Sequence, residues 1–345
     1  WNEKGYIMDI DEYCQYYKLP RKDVTSYKLV THTAVPYYNI AYRENVEVKD
    51  FDFDKIISKY TKNIKPLIYT PLVLTNPTRD FDVATYSDVH IGMNPDKFNT
   101  STYPTEWHKK EILDSARLIV KEILENKKSN TLVIDDLGDL MDGLGGQTTR
   151  GGHSLPQNMT DDEAFDCAIE FKDIILDGVA PNFEKVIINN IVNDNHGGLF
   201  GYLVNKMFKA TAMIRYNNVE ITNHRKFLNH YGVGKIGFVI SHGKEEKNTK
   251  HGFKVKPDQK DLKRIDDYCK FNKLYQKFDV IYFKKGDSHQ CVLDMSSSPD
   301  FFYHNYPALS PSSEWVLDNF GLGYKGFVLE SFKGTRNLID PIFTK

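Results

Sequence analysis

Five apolar segments, each followed at once by polar residues, constrain the fold of this chain most. They are FDVATYS (81–87), NTLVIDD (130–136), KVIINNIV (185–192), KIGFVIS (235–241) and FDVIYFK (278–284). Their β-branched and aromatic residues predict buried strands. Apolar residues at helical spacing predict a helix over 106–126, and Thr160 followed by Glu163 is typical of a helix start. Strands that alternate with helices predict a layered α/β fold.

The first 80 residues show a different pattern. We predict a short helix over 11–17, strands in SYKLVTHT (26–33) and YYNIAYREN (37–45), and a helix over 53–60. The Pro- and Asn-containing segment LTNPTRD (74–80) predicts a turn. We therefore expect a small N-terminal α+β accessory segment over 1–80 and a second domain over 81–345.

Composition limits the cellular setting. No run of about 18 apolar residues is present, which predicts no membrane-spanning helix. The opening WNEKGYIMDI has no apolar core behind a basic start, so we expect no signal peptide, and it lacks an initiating Met, which fits upstream processing. The 4 cysteines have no CxxC spacing, which predicts reduced thiols and a cytoplasmic protein. A net charge of −2 gives no support for nucleic acid as a partner.

Polar residues that can bind metal follow all five predicted strands. The segments are SDVHIG (87–92), GDLMDG (138–143), NDNHGG (193–198), SHGK (241–244) and GDSHQ (286–290). Open α/β sheets bind ligands at the carboxyl ends of their strands, so these segments are expected to share one crevice. Carboxylate, imidazole and amide groups together suit ions such as Mn²⁺, Fe²⁺ or Zn²⁺. Each segment alone is more often a turn or a surface pair, and the ordered set of five predicts a metal site.

The order and spacing of these segments resemble the calcineurin-like metallophosphoesterases, whose pattern is DxH, GDxxD, GNH(D/E), a strand-end His and GHxH. The likeness covers residues 81–295 and is nearest to the DNA repair exonuclease branch. It implies a four-layer αββα sandwich with two mixed sheets. It also implies that Asp88, His90, Asp139 and His289 bind one divalent ion. Asp139 would bridge to a second ion bound by Asn195 and His242.

The same resemblance implies the roles of the remaining residues. His196 would stand over the substrate as a proton donor or charge stabiliser for the leaving oxygen, and Asp142 would orient its neighbours. Two ions, most plausibly Mn²⁺ with Mg²⁺, Fe²⁺ or Zn²⁺ as alternatives, would lower the pKa of bound water for attack on phosphorus. The segment NFGLGYKGFVLESF (319–332) is predicted to be a hairpin in the second sheet.

Three positions depart from the pattern. Asp194 replaces the glycine before Asn195, and Gly197 replaces the acid that normally orients the catalytic histidine. We therefore expect either weaker proton delivery or a different partner for the histidine, with Asp194 as the candidate. Asp287 replaces the first histidine of GHxH. A carboxylate there is expected to bind the second ion, to favour Mn²⁺ or Mg²⁺, and to leave that ion labile.

Substrate contacts are predicted in two loops. Arg150 and His153 lie in the Gly-rich segment 143–158 and are candidates to hold a phosphate or a base; a plain surface loop is the alternative. The run 244–264 carries 8 Lys/Arg and 4 acidic residues, which fits a nucleic-acid backbone or, more simply, a solvated face. The aromatic residues at 301–306 are candidates for base stacking or for the core.

These observations predict a metal-dependent hydrolase of phosphodiesters, with a DNA nuclease as the leading hypothesis. A phosphomonoesterase acting on a small molecule or a phosphoprotein is the alternative enzyme. The third hypothesis is a binding or scaffold protein in which Asp287 and Gly197 have eroded catalysis. DNA is the plausible partner, no membrane is expected, and no protein partner is predicted.

Overall fold

The computed structural model describes residues 6–19, 21, 24–31, 37–42, 53–96, 105–148, 154–244, 252–313, 316–317, 321 and 323–344. The chain is divided into two compact units, Trp1–Ser58 and Lys59–Lys345. The first contains helix α1 (Ile10–Tyr16) and the antiparallel strands β1 (Val24–Val30) and β2 (Tyr37–Tyr42). Helix α2 (Phe53–Thr61) follows. These elements match the small α+β segment expected from the sequence.

The second unit begins before the boundary that the sequence predicts. Leu67 donates its backbone N–H to Arg215 (2.9 Å), and Leu72 donates to Pro181 (2.8 Å). Residues 59–80 therefore belong to the larger unit. The accessory role of the N-terminal residues stays a prediction.

The larger unit contains two mixed sheets with helices packed on them. Its strands are β3 (Phe81–Tyr86), β4 (Thr131–Asp136), β5 (Lys185–Ile191), β6 (Val219–His224), β7 (Asn229–Val233), β8 (Ile236–Ser241), β9 (Val280–Lys285), β10 (Val292–Asp294), β11 (Phe302–Asn305), β12 (Lys325–Lys333) and β13 (Arg336–Thr344). Its helices are α3 (Lys109–Glu125), α4 (Asp161–Val179), α5 (Gly198–Arg215), α6 (Gln259–Phe271) and α7 (Leu274–Lys277).

One sheet has the order β13-β12-β3-β4-β5-β6 and the other β10-β11-β9-β8-β7. In the first sheet β3 to β6 run parallel, and in the second β8, β9 and β11 run parallel. Antiparallel strands complete both sheets. The carboxyl ends of the parallel strands therefore collect the loops that the sequence singled out.

Alternating side chains of the strands build the layers, because successive residues of a strand face opposite sides of its sheet. In β3, Ala84 packs into the core shared with α3, α4 and α5, whereas Val83 packs between the sheets. In β8, Phe238 packs between the sheets, whereas Val239 packs against α6 and α7. The order of layers is helix, sheet, sheet, helix. The predicted αββα sandwich with two mixed sheets is confirmed.

The predicted elements agree with the structure except at the C-terminus. The helix predicted over 106–126 is α3, and α4 begins with the capping box of Thr160 and Glu163. The prediction of a hairpin over 319–332 is wrong. Strand β12 pairs with β13, outside that range, through a turn at Gly334, whose φ of 55° suits glycine. The two strands also join the sheet of β3, not the second sheet.

Candidate metal centre

Five loops meet at one edge of the sandwich, directly after β3, β4, β5, β8 and β9. Backbone hydrogen bonds join the loops to one another. Asp88 donates its N–H to Gly138 (3.0 Å), and His90 donates to Asp139 (2.9 Å). The loops after β8 and β9 are joined in the same way, by the N–H of Gly286 and the carbonyl of His242 (3.0 Å). The convergence predicted from the motifs is therefore present.

The backbone is strained at this edge. Seven described non-glycine residues have positive φ, and five of them are motif residues. The five are Asp88 (54°), His90 (48°), Asp139 (50°), Asp287 (69°) and His289 (54°). Such a conformation costs of the order of 1–3 kcal/mol per residue and persists only where the surroundings impose it. Four of these strained residues, Asp88, His90, Asp139 and His289, are candidate metal ligands.

Two glycines allow the loops to approach so closely. A Cβ atom at Gly286 would lie 1.8 Å from Ser87 Oγ and 2.7 Å from Asp88 Oδ2. A Cβ atom at Gly138 would lie 3.0 Å from His242 Nδ1, and φ of this residue is +101°. The motif glycines are therefore needed for contact between loops as well as for the turns themselves.

The first group of candidate ligands consists of Asp88, His90 and His289. The Nε2 atoms of the two histidines lie 3.2 Å apart, and Asp88 Oδ1 lies 3.4 Å from His289 Nε2 and 3.8 Å from His90 Nε2. Asp139 Oδ2 is 4.0 Å from His90 Nε2. Two imidazole nitrogens that face one another and two carboxylates suit a divalent cation between them.

The second group consists of Asp139, His242 and Asp88. Asn195 precedes His196, whose N–H donates to Asp139 Oδ1 (3.1 Å). His242 Nε2 lies 3.0 Å from Asp139 Oδ2. Its Nδ1 lies 2.9 Å from the carbonyl of Leu137, so Nδ1–H donates there and Nε2 faces the site. A partner of this kind sets the tautomer of metal-binding histidines.

The chemistry of this donor set fits divalent ions. Asn195 Oδ1 is buried and has no hydrogen-bond partner in the described part of the chain, whereas Asp88 Oδ1 and His242 Nε2 are buried and face only other candidate ligands, His289 Nε2 (3.4 Å) and Asp139 Oδ2 (3.0 Å). Buried polar atoms are rarely left in this state unless an ion or water satisfies them. These three atoms belong to residues that the sequence named as metal ligands.

Asp142 orients two histidines of the site. His90 Nδ1 lies 2.9 Å and His196 Nδ1 3.2 Å from Asp142 Oδ1. Gln157 Nε2 donates to the other oxygen of Asp142 (2.7 Å). Each imidazole can thus donate from Nδ1 and turn Nε2 towards the crevice. The orienting role predicted for Asp142 agrees with these contacts.

Charge within the site shifts several pKa values. Burial by itself raises the pKa of Asp88 and of Asp139, but the neighbouring histidines outweigh it and hold both values below the ordinary range. Burial lowers the pKa of His242, whereas Asp139 raises it to about 10. Burial likewise lowers the pKa of His196, whereas the charges of Asp139 and Asp142 raise it to about 9. The site therefore pairs anionic carboxylates with cationic imidazoles, an arrangement that a divalent ion would replace.

Asp194 does not orient His196, contrary to expectation. Its Oδ1 accepts the N–H groups of Gly197 and Gly198 (both 2.9 Å), and its Oδ2 accepts that of Asp139 (3.1 Å). It therefore holds the start of α5 and the loop that carries Asp139. Burial and repulsion by Asp139 raise the pKa of Asp194 to about 7. Asp142 supplies the partner of His196 that Gly197 cannot supply.

We expect Asp194→Ala to destabilise the protein by about 1–2 kcal/mol, since it strips the first turn of α5 of its acceptor. Asp194→Asn keeps one oxygen for the two glycine N–H groups and should cost less. Urea unfolding of the three proteins measures both differences. An Ala variant as stable as the wild type would contradict this account of Asp194.

Asp287 has a different partner from the one predicted. Its Oδ1 lies 3.0 Å from Lys244 Nζ, and its N–H donates to Asp88 Oδ2 (3.1 Å). Neither of the two candidate ligand groups includes it. Its predicted role as a ligand of the second ion gains no support from this geometry.

The predicted substrate contacts have mixed outcomes. Arg150 and His153 lie outside the described residues. Within the basic run, Lys254 pairs with Asp258 (2.6 Å) and Lys263 with Asp267 (2.7 Å), as on a solvated face. The aromatic residues Phe301, Tyr303 and Tyr306 are buried and belong to the core, so base stacking on these three is wrong.

Two contributions to the site were not predicted. Gln157 reaches Asp142 from the far end of the Gly-rich segment. The loop after β11 supports the first motif, because Leu309 donates its N–H to Ser87 (2.9 Å) and Ser310 donates to Asp88 (3.1 Å). Nothing in the sequence near Gln157 distinguishes it from other loop amides, and the motif pattern ends before residue 309.

Two further expectations concern the whole chain. All four cysteines are free thiols. Among the described helices, none combines the length and the apolarity that crossing a membrane requires.

Comparison with known proteins gives only remote likenesses. No protein-family model matches the chain, and no curated protein matches it. Among solved structures, a double mutant of Vps29 from Entamoeba histolytica has a TM-score of 0.26 and 10% identity, over 47% of this chain and 83% of that one. The calcineurin-like phosphoesterase YfkN from Bacillus subtilis has a TM-score of 0.31 and 11% identity, over 77% and 91%.

A 5'-nucleotidase from Candida albicans has a TM-score of 0.34 and 11% identity, over 80% of this chain and 53% of that one. The chain thus spans about half the length of that nucleotidase. At these TM-scores we draw no conclusion about function from the likenesses.

Proposed function

We propose that this protein is a metal-dependent phosphoesterase of the calcineurin-like type. The observation that carries the proposal is the convergence of five strand-end loops on one point, where Asp88, His90, Asp139, His242 and His289 face one another. The order of the motifs along the chain supports the same assignment. Divalent ions bound there would activate water and neutralise charge on the phosphoryl oxygens.

The candidate residues would have distinct roles. Asp88, His90, Asp139 and His289 would hold one ion, and Asp139, Asn195 and His242 a second. Asp142 would accept Nδ1–H of both His90 and His196, which leaves Nε2 of His90 free to bind an ion. The raised pKa of His196, about 9, would leave a proton on its Nε2 as well. His196, whose side chain is 21% exposed, would present Nε2 to the leaving oxygen and donate a proton to it.

We further propose that the preferred substrates are phosphodiesters such as DNA and that the ion is Mn²⁺. Both proposals depend on the resemblance of the motif set to the DNA repair exonuclease branch. The nucleic-acid partner and the cytoplasmic location likewise stay predictions from the sequence.

An Mn²⁺-dependent assay tests the activity. Turnover of bis-para-nitrophenyl phosphate above that of the mono-ester supports a diesterase, and the reverse supports the phosphomonoesterase. Single-stranded DNA, double-stranded DNA and RNA in the same assay test the proposed substrate. No turnover of any of these esters by folded, Mn²⁺-loaded protein would favour the scaffold hypothesis.

His196→Ala should slow turnover by about 10²–10⁴-fold, the range expected when a general acid is lost. The bound metal should stay unchanged, because His196 is not among the proposed ligands. Turnover and metal analysis of the same preparation check both points. His108→Ala, at an exposed histidine outside the five motif segments, is the control. Loss of metal together with activity would instead make His196 a ligand.

A further inference from the structure

The ion pair of Lys244 and Asp287 lies beside the candidate ligand Asp88. Lys244 Nζ is 3.0 Å from Asp287 Oδ1. Asp287 donates its N–H to Asp88 Oδ2, and Lys244 follows His242 by two residues. The Asp287 side chain is 6% exposed, whereas that of Lys244 is 25% exposed. The ammonium group is therefore fixed on one side and accessible on another.

The stem of Lys244 is also held in place. A Cβ atom at Gly252 would lie 2.6 Å from Lys244 Cγ and 3.3 Å from Cε, so the chain passes close over the side chain. Phe253 secures that crossing, because it donates its N–H to Gly243 (2.9 Å). A lysine that packs under backbone and pairs with a buried carboxylate is positioned more firmly than a lysine on an open surface.

The neighbouring lysine cannot serve the same purpose. Lys285 is buried, and its Nζ donates to the carbonyl of Gly286 (2.8 Å) and to Ser288 Oγ (2.6 Å). Its ammonium group is thus used within the loop. Among the residues that the structure describes, Lys244 is left as the accessible lysine beside the motif loops after β8 and β9.

We propose that Lys244 binds a non-bridging oxygen of the substrate phosphate and that Asp287 positions its ammonium group instead of binding metal. The inference rests on the proposed function and deepens it. An ammonium group is a compact charge that recognises phosphate well. It would supply positive charge on the side of the site where Asp287 stands in place of the first histidine of the GHxH pattern. The expected consequence is one tightly held ion, with the substrate anchored by ion and lysine together.

Metal analysis tests the role of Asp287. After exhaustive dialysis of Mn²⁺-loaded protein, the wild type should retain one ion per chain and Asp287→His should retain two. Two ions in the wild type would overturn the inference. No bound ion at all would overturn the proposed function, and the inference with it.

Binding of inorganic phosphate tests the role of Lys244. Calorimetric titration of the Mn²⁺-loaded protein should show phosphate affinity at least about tenfold weaker in Lys244→Met, because a charge-assisted hydrogen bond is lost. Lys244→Arg should restore part of the affinity. Lys254→Met, which removes an exposed lysine of the same basic run, should leave it unchanged. Unchanged affinity in Lys244→Met, with one ion still bound, would overturn this inference alone.

Discussion

Asp139→Ala should abolish phosphoesterase activity, with a fall in turnover of at least about 10³-fold. Asp139 belongs to the second ligand group and also lies within reach of the first. Its Oδ2 is 3.0 Å from His242 Nε2 and 4.0 Å from His90 Nε2. Loss of this carboxylate should therefore weaken both ions, whose combined charge stabilisation amounts to several kcal/mol, and each 1.36 kcal/mol corresponds to a factor of ten in rate.

The measurement combines turnover with metal content of the same samples. Asp139→Asn should also fail, since an amide keeps the shape but lacks the negative charge. Asp114→Ala, at an exposed carboxylate on α3, is the matched control. Far-ultraviolet circular dichroism shows whether each variant is folded. Wild-type turnover in folded Asp139→Ala would remove the basis of the proposed function.

The second large effect is expected at Lys284, in the polar network between the two sheets. This side chain is fully buried, with Nζ 2.7 Å from Glu330 Oε2, 3.1 Å from Asp135 Oδ2 and 3.0 Å from Thr85 Oγ1. Burial by itself lowers the pKa of Lys284, but the two carboxylates raise it above the ordinary value. The ion pairs therefore hold a charge on Lys284 where burial alone would remove it.

Lys284→Met should destabilise the protein by about 3–5 kcal/mol, because two carboxylates are left buried without their cation. Guanidinium unfolding gives the difference. Lys185→Met is the control, since Lys185 is 45% exposed, pairs with Glu220 on the surface and should cost less than about 1 kcal/mol. Adding Asp135→Asn and Glu330→Gln to Lys284→Met removes the two unpaired negative charges and should recover part of the lost stability. A loss below about 1 kcal/mol in Lys284→Met would show that the network does not stabilise the fold.

The network also has a consequence for the site. Lys284 lies on β9, whereas Asp135 and Glu330 lie on β4 and β12 of the other sheet. Two residues after Lys284 the chain enters the loop of Asp287 and His289. The ion pairs thus fix the two sheets relative to one another directly beneath loops that come from both. We expect the Lys284 variant to lose activity in parallel with stability.

Local pattern was enough to predict the αββα layers and the convergence of the loops. Strand composition, helical spacing and capping residues depend on neighbours within a few positions, and parallel strands bring their carboxyl ends to one edge whatever the loops contain. The five motif loops could therefore be placed in one crevice before any contact was known. Asp142 as the orienting residue followed from the resemblance to known motifs.

Only the tertiary structure decided which side chain partners which. The order of motifs suggested Asp194 for His196 and the second ion for Asp287, yet Asp194 caps α5 and Asp287 pairs with Lys244. Hydrogen-bond direction depends on distances of a few tenths of an ångström between loops far apart in the chain, and sequence spacing does not encode these distances. The burial of Lys284 between the sheets could not be predicted either. The carboxylates that pair with it lie on other strands, and the residues next to a lysine in a strand do not indicate them.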